Sequence, residues 1–362
     1  MLRLSGLLTC FVFFITACGG GNSTTSSPTP TPLPPVSNPP PAGDSKAPPQ
    51  GIFNSAGSLN TTNSGSFVSE HINGLPHVSG TLIRLSWSDI NPAPAEYDFS
   101  VIERELQEAE ALGDKVSLAV VDSKEMPQWL LDECTTFNFS FRGDPEVTCL
   151  PWDSTYQHYK QALISELGDQ FDGHEYLAGI YITYAAMTNG VEMHWRVDEQ
   201  SFTDAGYTFS KLSDAYNAVA DMYMNYFPTT PVIMEVHTVF NSPALAQTAY
   251  DYCFDTIGER CGVAIWWCAS RMTTDPREME YAVFPVAQQA ANNSFAICQT
   301  IASFTDEPER FAEGISSEQA FRNEMEFFVA AGFKNFELWT SDIQNDTLMD
   351  ILNAEYLADI EN

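Results

Sequence analysis

Three short stretches carry the side chains best suited to moving protons. Asn189-Gly190-Val191-Glu192-Met193-His194-Trp195, Glu235-Val236-His237 and Glu337-Leu338-Trp339 each set a carboxylate close to an aromatic or imidazole group. A carboxyl held among apolar side chains is harder to ionise, which is what a general acid needs, and a second carboxylate can then serve as base or nucleophile. Glu192 is the candidate acid, with Glu235 or Glu337 as its partner. Around them, Arg84, Trp87, Tyr184 and Asn189 could form a binding surface together with His194, His237, Trp266, Gln299 and Trp339. Aromatic faces stack on the apolar faces of pyranose rings, while charged and amide groups bond the hydroxyls, so this is the composition of a carbohydrate site. Each residue also has a plainer reading. A Trp can pack a core, Arg84 can pair with a buried carboxylate, either His can be a hydrogen-bonded structural imidazole, and Glu192 can be a solvated loop residue.

The elements that must position these groups alternate along the chain. Strand-like segments at residues 51–53, 82–87, 115–121, 177–184, 232–236, 262–267, 295–299 and 335–339 are separated by helical patterns. In one of these Ile102, Leu106, Ala109 and Leu112 share a face behind a cap at Asp98 or Ser100, and in another Asp153 caps Tyr156, Tyr159, Leu163 and Leu167. Eight such units in residues 51–362 predict an α/β fold of the closed (β/α)8, or TIM-barrel, type. An open doubly wound sheet is the alternative, but no Gly-x-Gly-x-x-Gly or Gly-x-x-x-x-Gly-Lys motif follows any strand. In a barrel the candidate site residues fall at or beyond the carboxyl ends of the second, fourth, fifth, sixth, seventh and eighth strands, where barrel enzymes do their chemistry.

The stretch Arg84-Leu-Ser-Trp87-Ser-Asp-Ile-Asn-Pro92-Ala-Pro-Ala-Glu-Tyr97-Asp98-Phe99 resembles the second-strand segment of retaining barrel glycoside hydrolases, notably the family 42 β-galactosidases and their relatives. Met126-Pro127-Gln128-Trp129-Leu130 is similar to the Pro-x-Trp segment of the same group. The resemblance implies hydrolysis of a glycosidic bond, with an acid/base Glu after the fourth strand and a nucleophile Glu at the end of the seventh. The sequence departs from that pattern twice. The nearest carboxylate after the fourth strand is Glu192, well past Tyr184, and the seventh strand offers Gln299, an amide that cannot form a glycosyl ester. A glycan-binding protein with a degenerate hydrolase site is the opposing expectation.

Charge and cysteine usage bound the setting. The 362 residues carry 16 Lys and Arg against 48 Asp and Glu, a formal charge of −32, which excludes a general nucleic-acid binder. Residues 1–17 have a short basic start and an apolar run too brief to span a bilayer, and they end in Ile15-Thr16-Ala17-Cys18, which resembles a bacterial lipobox. The expectation is a lipoprotein signal peptide at 1–17, an acylated Cys18 and a tether over 18–50 holding ten of the 22 prolines. The protein would sit lipid-anchored in a bacterial cell envelope, at the outer membrane, as a monomer touching the membrane only through its lipid.

Six further cysteines are expected to pair as Cys134–Cys149, Cys253–Cys261 and Cys268–Cys298, as suits an oxidising compartment. No Cys-x-x-Cys occurs and the His residues are scattered, so neither a metal nor a cofactor is expected.

Overall fold

The computed structural model describes residues 45–55, 58–59, 66–188 and 190–361. The expected signal peptide, Cys18, most of the tether and Asn189 lie outside the described residues.

Eight parallel strands form the body: β1 Gly51–Asn54, β2 Gly80–Ser86, β3 Lys115–Val121, β4 Leu177–Tyr181, β5 Val232–Glu235, β6 Cys261–Cys268, β7 Phe295–Thr300 and β8 Asn335–Leu338. Each pairs with its successor, and β1 pairs with both β8 (Ile52 opposite Phe336) and β2 (Phe53 opposite Gly80), which closes the ring. At least one helix follows each strand, among them α1 Phe67–His71, α2 Ser100–Leu112, α3 Ser154–Phe171, α4 Phe209–Tyr226, α5 Ala244–Ile257, α6 Phe284–Asn293, α7 Ser317–Ala330 and α8 Asp346–Glu355. The fold is a (β/α)8 TIM barrel.

Its strands are buried on both faces, as parallel barrel strands must be, so they read as apolar runs rather than as alternation. Inside the ring Leu82, Ala119, Tyr181, Val191, Ile233, Ala264, Trp266, Phe295 and Ile297 form one cluster, and a larger cluster fills the layer between strands and helices. Asp153 caps α3 as expected, accepting from the backbone N–H groups of Thr155 and Tyr156. On α2 the expected face is shorter at its end, for Leu112 is exposed beside the left-handed Gly113 that stops the helix. Among the described residues no helix is long and apolar enough to cross a membrane.

Two features go beyond the sequence reading. The stretch expected to be the end of the tether is engaged with the barrel floor: the Lys46 ammonium donates to the carbonyls of His174 (2.8 Å) and Leu177 (3.2 Å) and to Thr230 Oγ1 (2.9 Å). The folded body therefore includes Lys46, ahead of the boundary drawn at Gly51. In addition, the β3–α3 connection holds an antiparallel hairpin, Thr136–Phe141 with Asp144–Cys149. Its signal was present in the alternation Thr-Phe-Asn-Phe-Ser-Phe before Arg142-Gly143, both at positive φ in the two-residue turn.

All three expected disulfides form. Cys134–Cys149 fastens the hairpin, Cys253–Cys261 ties α5 to the start of β6, and Cys268–Cys298 joins neighbouring strands β6 and β7. Cross-links of this kind restrict the unfolded chain, each by on the order of 3 kcal/mol.

Candidate active site

The central feature is how Glu192 reaches the barrel mouth. The pairing of Ile180 with Val232 and Tyr181 with Ile233 would carry Thr183 to a position opposite Glu235. Instead the chain leaves the ladder after Ile182, and it is Glu192 that bridges in parallel to Glu235. The Tyr184 N–H donates to the Gly190 carbonyl (2.7 Å) and closes this excursion. Gly190 has φ +70°, and a Cβ there would stand 2.3 Å from the Tyr184 oxygen and 2.5 Å from Asp122 Cβ, so only glycine fits.

The excursion is pinned from β3. Asp122 and Lys160 form a fully buried ion pair (2.8 Å), and Lys160 also donates to Thr183 Oγ1 (2.7 Å). Tyr156 donates its hydroxyl to Asp122 (3.1 Å) and accepts from the Ala185 N–H (2.9 Å), and Ser123 donates to the Ala186 carbonyl.

Around the mouth Glu192, Glu235 and Glu337 converge with Arg84. Glu192 accepts from Thr188 Oγ1 (3.0 Å) and keeps 24% of its side chain exposed. Burial raises its pKa above the usual carboxylate range, against the opposing pull of His237. Glu235 has no exposed surface; it meets His237 Nδ1 at 2.7 Å and accepts from the Trp266 N–H (3.2 Å), and burial pushes its pKa far up. Glu337, equally buried, accepts from Tyr181 (2.5 Å) and from the Gln299 amide (2.8 Å). Burial lifts its pKa to about 6, with the two hydrogen bonds and the Arg84 charge working the other way. The Arg84 guanidinium lies over the Trp266 ring, 5.4 Å from its centroid, and its charge interacts with Glu337 and Glu192.

His194 and His237 stand beside Glu192, their rings 4.8 Å apart. Trp339, half-buried, donates to the Thr300 carbonyl (3.0 Å) and lines a 620 Å³ cleft with Ser303, Asp306 and Arg310 on the same face.

Two candidate binding residues lie elsewhere. Trp87 is not on the strand. β2 ends at Ser86, and Trp87 begins a short turn of helix that buries it against Tyr156 and Lys160, its indole N–H bonded to Asn91 (3.0 Å). Tyr184 falls beyond the shortened β4 and stacks on Tyr216 with 4.1 Å between centroids. Both side chains are fully buried.

Sequence reasoning passed over Tyr181, which bonds Glu337, and the Arg196–Glu280 pair (2.6 Å), whose Glu280 oxygen lies 3.9 Å from His237 Nε2. Tyr181 had a signal, since it sits two residues after Gly179 on the inward phase of β4. Glu280 had none, for it arrives from the distant β6–α6 connection.

The family model described as β-galactosidase, glycoside hydrolase family 42, matches residues 77–266, which is 190 of the 362 residues. The chain belongs to this family. It is a glycoside hydrolase, and the matched part of this family 42 member carries Arg84, Glu192, Glu235 and Trp266, while Gln299 and Glu337 lie beyond it.

Among solved structures the catalytic domain of β-amylase from Paenibacillus polymyxa is similar at TM-score 0.55 and 11% identity, covering 86% of this chain and 99% of that one. Native xylanase 10B from Thermotoga maritima aligns at TM-score 0.47 and 10% identity over 80% of this chain and 82% of that one. The first likeness shows the fold alone. No curated protein sequence matches.

Proposed function

We propose that this family 42 member cleaves a neutral poly- or oligosaccharide outside the cytoplasm, with Glu192 as general acid and Glu337 as the second carboxylate. The observation that carries the reading is the convergence of a partly exposed, hard-to-ionise Glu192 with Arg84 and a buried Glu337 whose pKa lies near 6. Above that pH Glu337 is ionised, and burial raises the pKa of Glu192, the direction that a general acid needs. Glu235 is the weaker partner because burial pushes its pKa further up than that of Glu337, against the ionised form that a base or nucleophile needs. Trp339 at the cleft offers a stacking face, Arg84 over the buried Trp266 brings its charge to Glu192 and Glu337, and Gln299 orients Glu337.

The three disulfides support export, and the lipobox-like Ala17-Cys18 supports a lipid anchor at the outer membrane. The net charge of −32 favours an uncharged glycan over an acidic one.

A panel of galactosides, xylans, glucans and sulfated polysaccharides tests this by release of reducing ends. Glu192→Gln is expected to lower the rate by about 10²–10⁴-fold with glycan affinity retained. Glycan binding without new reducing ends, equal in the wild type and in Glu192→Gln, would instead identify a binder that kept the cleft and lost the chemistry. Full occupancy of both Glu337 oxygens and the amide at Gln299 are what that outcome would mean.

A further inference from the structure

Beside the proposed acid lies a constellation that glycoside hydrolysis does not require. Glu192, His194 and His237 each offer a ligand atom, and these atoms all lie within 4.8 Å of one another. His237 Nε2 is already 3.7 Å from Glu192 Oε1. Two ligands on a tetrahedral zinc ion at about 2.1 Å stand roughly 3.4 Å apart, so small side-chain rotations close the set.

His194 supplies the independent sign of a ligand. The residue is only 3% exposed, and among the described residues neither ring nitrogen meets a hydrogen-bond partner. Burying an imidazole that way is unfavourable unless something else engages its lone pair. The neighbouring ring is prepared differently: His237 Nδ1 is held at 2.7 Å by the buried Glu235 carboxylate, which leaves Nε2 to face Glu192. A carboxylate behind a histidine in this way fixes the ring and raises its strength as a metal ligand.

We propose that Glu192, His194 and His237 form a three-ligand site for a divalent transition-metal ion of the zinc class, with Glu235 as the outer carboxylate that orients His237. Two imidazoles and one carboxylate favour such an ion over magnesium or calcium, which take oxygen ligands. Arg196 does not oppose the charge of the ion alone, since it is paired with Glu280 (2.6 Å). The exposed part of Glu192 gives an entry path and a fourth position for water. Glu192 cannot hold a metal and donate a proton at the same time, so the ion would inhibit hydrolysis; this consequence, unlike the binding, rests on the function proposed above.

The test uses the tag-free full chain, stripped with EDTA and titrated with Zn²⁺ and, for its visible spectrum, Co²⁺. One equivalent is expected to bind with a Co²⁺ spectrum of nitrogen and oxygen ligation, free of the thiolate band that Cys10 or Cys18 would give. His194→Leu and the volume-conserving Glu192→Gln should each weaken this binding at least tenfold, and Glu235→Gln by about 10–100-fold. Absence of stoichiometric binding, or binding unchanged in both His194→Leu and Glu192→Gln, overturns the site. Hydrolysis by the stripped chain is scored separately. Zn²⁺ binding without any glycan cleavage supports the metal site and removes the hydrolytic reading, and cleavage without Zn²⁺ binding does the reverse.

Discussion

Two buried polar groups lie on either side of the β4 excursion, and they are built on opposite rules. On the β3 side Asp122, Lys160, Tyr156 and Thr183 satisfy one another, a carboxylate against an ammonium with hydroxyls on the remaining atoms. On the β5 side Glu192, His194, Glu235 and His237 gather two carboxylates with two imidazoles, and the buried His194 ring meets no hydrogen-bond partner among the described residues. A complete network in a low-dielectric interior rigidifies what it touches, whereas an incomplete one is tolerated where chemistry needs it. The first side holds the loop that the second side uses.

The sharpest way to break this contrast is Lys160→Met. It leaves Asp122 buried without its cation, and unfolding in urea should show a loss of about 3–5 kcal/mol. Gly190→Ala attacks the hinge between the two sides; a methyl group against the Tyr184 carbonyl at positive φ should cost about 2–4 kcal/mol. It should also lower hydrolysis by displacing Glu192.

A smaller effect follows from Glu337. Its pKa is about 6 in the folded chain against the ordinary 4.5, so between those values the folded state keeps a proton that the unfolded state has released. Stability from this group is complete below about pH 4.5 and falls as pH rises through 6, by about 2 kcal/mol in all. Glu337→Gln should flatten that part of the stability profile, measured as urea midpoints at successive pH values.

The smallest expected change is His194→Leu in metal-free protein, within about 1 kcal/mol of the wild type, because its ring gives up no hydrogen bond to a described residue. A loss as large as that of Lys160→Met would erase the distinction between the two sides.

The architecture was legible because a parallel barrel repeats one local pattern eight times. Apolar runs flanked by amphipathic helices, the Asp153 cap and the short spacings Cys134–Cys149 and Cys253–Cys261 are all signals carried within a few turns of chain. The site was only partly legible. The motif from Arg84 to Phe99 carries the family resemblance, yet much of it is scaffold: Trp87 and Trp129 both donate to Asn91, whose amide in turn holds the carbonyls of Ala93 and Glu96. Only Arg84 of that stretch takes part in the mouth.

The sequence by itself determined the unit count and the kinds of side chain available for acid–base work, since each depends on local periodicity or composition; it offered one preferred cysteine pairing out of fifteen, which the adjacency of β6 and β7 completed. Tertiary structure alone decided that Glu192 replaces Thr183 beside Glu235, that Trp87 and Tyr184 turn into the core, and that His194 and His237 meet. Those outcomes depend on where a strand leaves its ladder and on contacts between residues far apart in the chain. No local period encodes either, because both are settled only when the ring of strands closes.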